Sequence, residues 1–231
     1  MANFLIGGIK KSSLMDFPNK ISAIIFTQGC NFNCGFCHNP ALLKTSECNY
    51  TIDSFFDFLE TRKNKLEGVV ITGGEPTIQL DLKYVIKRIK NMGFLVKLDT
   101  NGYKPDILQD LLNENLLDYA AMDIKAPFEK YSVVVNRDID TSIIKRSIDI
   151  LMQSGIDYEF RTTFMPYYHK IEDFEKIGVM IKGAKKYYLQ KFEAQSQINN
   201  PNLQNEKNYS DKDIEKIINI LKKYVLNTEV R

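Results

Sequence analysis

Three cysteines lie close together in the segment QGCNFNCGFCHNP, at residues 28–40. They are Cys30, Cys34 and Cys37, and the whole chain of 231 residues contains only four cysteines. Thiolates at such short spacing bind metal ions or iron–sulfur clusters, or carry out redox chemistry. The glycines, asparagines and proline around them disfavour a helix, so a buried stripe of thiols on one helix face is not expected. We predict an exposed loop that does metal or redox chemistry.

Two kinds of metal site are compatible with this loop. A zinc site needs four ligands, so His38 or Cys48 would have to supply the fourth, and the chain would then be a zinc-stabilised binding module. An iron–sulfur cubane is larger, and a C-x3-C-x2-C loop reaches its irons because an extended residue covers about 3.3 Å. Three thiolates leave one of the four irons without a protein ligand. Such an open coordination position is typical of a catalytic metal site.

The elements that must position this loop alternate regularly along the chain. Apolar runs predict six short strands, at residues 21–27, 68–72, 94–98, 118–124, 157–164 and 186–190. Segments with apolar residues at helical spacing follow them, and the last begins after Ser210. Six βα units predict either a partial (β/α)6 barrel or an open doubly wound sheet, each with a parallel sheet and covering helices. Both place ligands at the carboxyl ends of the strands, where the cysteine loop follows the first strand.

Length and composition bound the domain organisation and the partners. We expect a single domain over residues 1–231, with its core at about 18–195 and a surface loop and C-terminal helix at 196–231. A net charge of +2 indicates no nucleic-acid footprint and no attraction to an anionic membrane surface. The N-terminus lacks a signal-peptide pattern, and no apolar run reaches the roughly 18 residues that span a bilayer. We therefore predict a cytoplasmic protein with no nucleic-acid or membrane partner.

Polar motifs also follow later predicted strands. In ITGGEP (71–76), two glycines allow a close backbone approach to a ligand, and Glu75 supplies an acceptor for an ammonium group. The segments LDTNG (98–102) and AMDIK (121–125) add carboxylates and a lysine at the same edge of the sheet. Each segment alone is also compatible with an ordinary turn or a solvated ion pair. Their agreement with the cysteine loop is what favours a shared ligand site.

Together, the CNFNCGFC, GGEP, DTNG and MDIK segments resemble the radical S-adenosylmethionine (SAM) enzymes, and within them the glycyl-radical-enzyme activases. The resemblance covers essentially residues 5–195 and implies the radical SAM type of partial barrel. It implies a [4Fe–4S] cluster on Cys30, Cys34 and Cys37 whose open iron binds the amino and carboxylate groups of SAM. Reduction then cleaves SAM to a 5′-deoxyadenosyl radical, which abstracts hydrogen from a glycine of a partner enzyme.

The resemblance also implies roles for further residues. Contacts with the cofactor are implied for Phe36, His38, Gly73, Gly74, Glu75, Asp99, Asn101, Lys125, Arg161 and Gln190. A monovalent cation near the cofactor carboxylate is implied for Asp99, Thr100 and Asp123, whose oxygen atoms suit such an ion. No separate acid or base is assigned, because the cluster-borne chemistry needs none.

The partner implied by the resemblance is a glycyl-radical enzyme. In YYLQKF (187–192), Gln190 replaces a histidine of many pyruvate formate-lyase activases, and the segment is most like the longer activases of anaerobic ribonucleoside-triphosphate reductase. Pyruvate formate-lyase is the alternative partner, and flavodoxin or ferredoxin is the expected one-electron donor. A small-molecule enzyme such as a deazaguanine synthase would need substrate anchors that we do not find. Cys48 is the only cysteine between Cys37 and Thr72, which is too few for a second cluster. We therefore expect one cluster and an incidental or structural role for Cys48.

Overall fold

The computed structural model describes residues 4–47, 50–193 and 198–231. Its strands form one eight-stranded sheet whose spatial order follows the chain. The strands are β1 (Ile6–Phe17), β2 (Lys20–Thr27), β3 (Gly68–Gly73), β4 (Leu95–Thr100), β5 (Tyr119–Asp123), β6 (Asp157–Phe164), β7 (Lys186–Lys191) and β8 (Asn227–Val230). β1 is antiparallel to β2, and all later pairs are parallel. A doubly wound sheet reverses its strand order and this sheet does not, so the partial barrel is confirmed.

Helices connect the parallel strands. They are α1 (Ile52–Glu60), α2 (Leu82–Asn91), α3 (Pro105–Asn113), α4 (Tyr131–Val135), α5 (Thr141–Gln153), α6 (Asp173–Met180) and α7 (Asp211–Leu221). Every helix expected from the apolar spacing is present. Pro105 opens α3, where its missing N–H costs nothing, and the Ser210 hydroxyl caps α7 by accepting from the Asp213 N–H at 3.2 Å. Among the described residues, no helix has the length and apolar character needed to cross a membrane.

Three elements were not expected from the sequence. β1 is an edge strand with few buried residues, and its glycines and lysines break the alternation that marks a strand. It turns back into β2 through Asn19, which adopts a left-handed conformation with φ 60°. β8 has four residues and α4 has five, too few to show a period. The six predicted strands are β2 to β7, so the barrel is extended by one strand at each edge.

The two faces of the sheet differ in character. Toward the helices, side chains such as Ile25, Ile71 and Leu98 are fully buried in one large apolar core. The opposite face has a much smaller apolar cluster, in which Val70 and Tyr119 take part, and it also contains buried charged groups. Ligands that reach the carboxyl end of the barrel therefore meet a polar inner wall.

The asparagine-rich sequence of residues 195–210 predicts a surface loop, and all but two of its described residues are at least partly exposed. The exceptions are Leu203, which is completely buried, and Ile198, which is 8% exposed. The polar composition of the segment gave no sign that these two apolar side chains pack into the core. Residues 195–197 of that predicted loop, and Cys48, lie outside the described part of the chain.

Candidate active site

The cysteine segment is a loop at the carboxyl end of β2, as predicted, but the prediction that it is exposed is wrong. Of residues 28–40 only Asn39 is exposed, because Phe32 and Phe36 pack into the apolar core. Gly29 adopts φ 84°, and its N–H donates to the Leu42 carbonyl at 2.8 Å, which turns the chain out of the strand. The Asn33 N–H donates to the carbonyl of Val135 at the end of α4, at 2.9 Å. Cys34 is 7% exposed, and Cys30 and Cys37 are half-buried. All three carry free thiols.

The glycines of GGEP hold two backbone segments in direct contact. The Gly74 N–H donates to Thr27 O at 2.9 Å, and the Glu75 N–H donates to Gly29 O at 2.8 Å. A Cβ atom on Gly74 would lie 2.0 Å from Gly29 O, and one on Gly73 would lie 2.3 Å from Thr27 N. Both glycines also line the cavity described below, where the sequence predicted an approach to a ligand. The structure shows a second reason why both positions require glycine: the GGEP turn packs directly against the start of the cysteine loop.

Two buried glutamines that the sequence analysis did not single out tie the same region together. Gln79 Nε2 donates to Gln28 O at 2.6 Å, and Gln79 Oε1 accepts from the Leu5 N–H at 2.8 Å. Gln28 Nε2 donates to Ile6 O at 3.1 Å, and Gln28 Oε1 accepts from the Ser46 N–H at 2.8 Å. A buried amide must satisfy all its hydrogen bonds, so these side chains hold the loop entry in one conformation.

Glu75 lies at the centre of a hydrogen-bond network. Its Oε1 accepts from the Thr77 N–H at 3.0 Å and the Thr100 hydroxyl at 2.8 Å, and its Oε2 accepts from the Asn101 N–H at 2.7 Å. The Thr77 hydroxyl also donates to Oε1. Burial raises the pKa of Glu75, and these donors oppose that rise. Since a carboxylate has about four acceptor sites, the network fixes Glu75 and with it the DTNG turn.

Alternating charges run along the inner wall across β4, β5 and β6. Arg161 donates through Nε to Asp123 Oδ1 at 3.0 Å and through a terminal nitrogen to Asp99 Oδ2 at 3.1 Å. Lys125 Nζ is 2.8 Å from Asp123 Oδ2, and Lys97 Nζ is 2.9 Å from Asp99 Oδ1. Burial acts to raise the pKa of Asp123, but Lys125 and Arg161 outweigh it and hold that pKa at about 2. Burial also acts to raise the pKa of Asp99, but Arg161 and Lys97 outweigh it and lower that pKa, so both carboxylates are ionised at neutral pH.

One cavity, of about 180 Å³, brings these motifs together. The predicted site residues that line it are Cys30, Cys34, Phe36, Cys37, His38, Gly73, Gly74, Glu75, Asp99, Thr100, Asn101, Asp123, Lys125 and Arg161. Gln190 is not among the lining residues; it lies on β7, in register with the lining residue Thr163. Phe32, Asn39, Leu43, Thr72 and Thr163 also line the cavity and were not predicted. Their residue types carry no chemical signal in the sequence.

Several predicted residues also contact each other at the cavity wall. Asn101 Nδ2 donates to Asn31 Oδ1 at 2.7 Å and lies 4.0 Å from Cys30 Sγ. Lys125 Nζ lies 5.7 Å from the centre of the Phe36 ring, within the range of a cation–π contact. The His38 ring packs 5.5 Å from that of Phe192, and burial lowers the pKa of His38. Neutral imidazole and amide groups thus surround the thiols on this side.

Burial makes two of the thiols weak acids in the protein without its cluster. Burial and the nearby Glu75 raise the pKa of Cys30 to about 12, and burial raises the pKa of Cys34 to about 11, although Lys125 opposes that rise. Metal ligation requires thiolates, so cluster uptake must release these protons. In the unfolded chain Cys30 ionises near the ordinary cysteine pKa of 9.0. The contribution of the Cys30 proton to folding stability is therefore fully present below pH 9.0. It is lost as the pH rises toward 12.

Slow alkylation of Cys30 in the cluster-free protein is the expected result of this raised pKa. At pH 8 the iodoacetamide reaction, followed by mass spectrometry of the Cys30 peptide, should be roughly 10- to 1000-fold slower than in the denatured chain. The rate should continue to rise with pH above 9 instead of levelling there. A rate equal to that of the denatured chain at pH 8 would contradict the assigned pKa.

Asn199 fastens the cysteine loop from the far end of the chain. Its Nδ2 donates to Asn33 Oδ1 at 2.9 Å and to Cys34 O at 3.1 Å, and the neighbouring Asn200 N–H donates to Gly35 O at 2.8 Å. A Cβ atom on Gly35 would lie 2.5 Å from the Tyr168 hydroxyl oxygen and 3.2 Å from Asn200 Cβ, so a side chain here would force Tyr168 to move. Asn199 was not predicted as part of the site, because no local sequence pattern links it to a loop 165 positions away.

Replacing Asn199 by alanine is expected to loosen the cysteine loop. Loss of these hydrogen bonds should speed amide hydrogen exchange of residues 30–37 on the order of tenfold, and the loaded protein should lose iron faster to a chelator. Asn202→Ala is the matched control, since Asn202 is an exposed asparagine of the same segment. Equal exchange rates in the two variants would show that Asn199 does not hold the loop.

The donor set fits an iron–sulfur cluster better than a single metal ion. Among the described residues, no three His, Cys, Asp or Glu side chains are placed to hold one ion. A cubane has four separate irons, so its thiolates stand farther apart than the ligands of one zinc ion. The three free thiols on one loop, facing a cavity with polar walls, are the donors that such a cluster requires.

Comparison with known proteins identifies the class of this barrel. The family model described as the radical SAM superfamily matches residues 24–181. The chain therefore belongs to the radical SAM superfamily, whose members use a [4Fe–4S] cluster and SAM. Within it, the chain is an enzyme of the glycyl-radical enzyme activating family, as its curated relatives indicate.

Two of these relatives are proteins of Methanocaldococcus jannaschii described as glycyl-radical enzyme activating enzymes. One is 38% identical over 197 residues, covering 82% of this chain and 80% of the relative. The other is 30% identical over 181 residues, covering 75% of this chain and 67% of the relative. The identity and coverage of the first relative place the chain in this family.

A solved structure supports the fold. The crystal structure of Streptococcus suis SuiB bound to SAM matches with a TM-score of 0.66 over 87% of this chain, at 13% identity. This chain spans only 48% of that protein's length. At such low identity the likeness concerns the fold alone, and it agrees with the partial barrel derived from the strand order.

Proposed function

We propose that this enzyme reductively cleaves SAM at a [4Fe–4S] cluster held by Cys30, Cys34 and Cys37 and activates a partner glycyl-radical enzyme. The observation that carries the proposal is the cavity, in which the three thiols face the GGEP, DTNG and MDIK segments. When bound, the cluster supplies the electron that cleaves SAM, and the resulting 5′-deoxyadenosyl radical removes a hydrogen atom from a glycine of the partner.

The protein's own groups orient the cofactor. Lys125, whose pKa is raised by Asp123 against the effect of burial, stays charged and is suited to an anionic carboxylate. Glu75 fixes Thr100 and Asn101 through its hydrogen bonds. Its Oε2 accepts only from the Asn101 N–H, so this oxygen keeps an acceptor site that would serve the cofactor's ammonium group together with the GGEP backbone. Phe36 and His38 would border the adenosine side, and Arg161 would hold Asp99 and Asp123 in place.

Gln190 has a different position from the other proposed contacts. It lies one strand beyond Arg161, outside the cavity lining. We propose that it meets the part of the cofactor or of the substrate glycine loop that extends toward β7. The open edge of the barrel at β8 gives such a loop room to enter, because no further strand pairs with β8 among the described residues.

The proposed partner is anaerobic ribonucleoside-triphosphate reductase, with flavodoxin or ferredoxin as the electron donor. Support for this partner comes from the YYLQKF segment, which replaces the histidine of many pyruvate formate-lyase activases by Gln190. A cluster and free thiols require a reducing compartment, so the proposal includes a cytoplasmic location. We propose one domain over residues 1–231, with one cluster.

A partner panel tests this proposal. The reconstituted, reduced protein is mixed with SAM and either anaerobic ribonucleotide reductase or pyruvate formate-lyase, and the glycyl radical is counted by electron paramagnetic resonance. We expect a radical on the reductase. Signal only on the lyase would move the partner assignment to the alternative, and iron below about three atoms per chain after reconstitution would remove the cluster from the account.

A further inference from the structure

The carboxylates that the resemblance assigns to a monovalent cation already have lysine and arginine side chains as partners. Asp99 Oδ2 and Asp123 Oδ1 both accept from Arg161, and Asp123 Oδ2 is paired with Lys125. Lys97 Nζ lies 2.9 Å from the remaining carboxylate oxygen, Asp99 Oδ1, as an ion pair without directed hydrogen-bond geometry. Every carboxylate oxygen that would ligate the cation therefore has a cationic neighbour.

Lys97 is the unusual member of this group. It is 3% exposed in the middle of the sheet, on β4, two residues before Asp99 on the same face. Its Nζ also donates to the carbonyl oxygen of Asp16 at 2.6 Å, near the end of β1. The ammonium is thus held between β1 and Asp99 and is not a surface charge that happens to point inward. Lys97 lies outside the sequence motifs and was not predicted to be part of the site.

The local charge balance disfavours an added cation. Two carboxylates, Asp99 and Asp123, face three cationic groups, Lys97, Arg161 and Lys125. Glu159, a further buried carboxylate that acts on Arg161, has its own cationic partner in Arg231 at 3.3 Å. A further positive ion would meet like charges at short range in a setting where water screens them poorly. It would also have to displace a side chain from a paired oxygen. The residues present do not fit the cation that the resemblance implies.

We infer that the Lys97 ammonium, together with Arg161, takes the role of the monovalent cation, so that SAM binding by this enzyme requires no added cation. The inference rests on the proposed function, because SAM is the ligand whose binding it describes. Lys97 does not touch the reacting atoms and is a positioning residue: it supplies Asp99 with the charge that orients that carboxylate.

The direct test measures SAM binding to the cluster-loaded wild-type protein in potassium, sodium or choline chloride at equal ionic strength. We expect dissociation constants that agree within about twofold. Binding that is tenfold or more tighter in potassium or sodium than in choline would overturn the inference. Absence of SAM binding in all three salts would overturn the proposed function instead, and the inference would then be decided by the measurement on the cluster-free protein.

That second measurement is thermal unfolding of the cluster-free chain in the same salts. The wild-type midpoint should be the same in all three, whereas Lys97→Met should gain a rise of several degrees, roughly 3 °C or more, in potassium or sodium over choline. Lys10→Met is the matched control, since Lys10 is an exposed lysine that pairs with the Asp16 side chain. Lys97→Gln serves if the methionine variant does not fold. A specific potassium effect on the wild type, or none on the Lys97 variants, would overturn the inference.

Discussion

Cys34→Ala is expected to abolish cluster binding while the barrel stays folded. Cys34 is one of three thiols on the loop, and it is buried against the core at 7% exposure. Removing its sulfur leaves two thiolates, too few to hold a cubane with one open iron, and SAM cleavage should fall below detection. The lost packing should cost only about 1 kcal/mol of unfolding free energy, because the replaced group is small. Iron and sulfide analysis with circular dichroism measures both effects.

Cys48→Ala is the control for this variant, because we predict that Cys48 is an incidental or structural thiol. It should retain about four irons per chain and full SAM cleavage. Global unfolding of Cys34→Ala would indicate instead a metal that the fold requires, as a zinc-stabilised module does. Full iron content in Cys34→Ala would remove this cysteine from the ligand set.

Gly74→Ala is expected to damage the site through backbone contact alone. The new Cβ would lie 2.0 Å from Gly29 O and 2.9 Å from Leu42 O, and both are backbone atoms that cannot move aside singly. Relief of this overlap requires the cysteine loop and the GGEP turn to separate, which should cost about 1–3 kcal/mol. Because Gly29 directly precedes Cys30, iron content and SAM cleavage should fall together. Denaturant unfolding and iron analysis check these results.

Gly8→Ala gives the matched comparison. Its added Cβ would meet the nearest atom, Phe26 Cδ2, at an ordinary contact distance of 3.7 Å, and Gly8 does not have a positive φ. Its stability should change by no more than about 0.5 kcal/mol, with iron content unchanged. If Gly74→Ala behaved like Gly8→Ala, the close approach of the two backbones would not be what holds the cysteine loop.

Much of the fold was predictable because the signals are local. Strands buried on both faces read as apolar runs, so β2 to β7 were found with small errors at their ends. Amphipathic helices showed their period in the same way. β1 escaped because an exposed edge strand needs no such pattern, and the lysines and glycines that suit an edge obscure it. A short edge strand such as β8 has too few residues to carry a signal.

The motifs of the site could be predicted from the sequence, but the side chains that hold those motifs in place could not. Cysteine spacing and the GGEP, DTNG and MDIK segments are contiguous, and parallel strands bring their ends to one cavity. The groups that hold those motifs come from distant parts of the chain: Gln79 crosses to Gln28, and Asn199 to Cys34. Lys97 is the clearest case, since a lysine in a strand normally indicates a solvated face and here is buried beside Asp99. Only the fold reveals such pairs.

The proposed reaction transfers a hydrogen atom from a glycine of the partner to the radical derived from SAM. The most direct measurement uses the proposed partner, anaerobic ribonucleotide reductase labelled with 2-deuterated glycine, and determines the mass of the 5′-deoxyadenosine formed. We predict 5′-deoxyadenosine that carries deuterium, in step with the glycyl radical signal. Unlabelled 5′-deoxyadenosine, formed at the same rate with or without the partner and without a glycyl radical, would contradict the account.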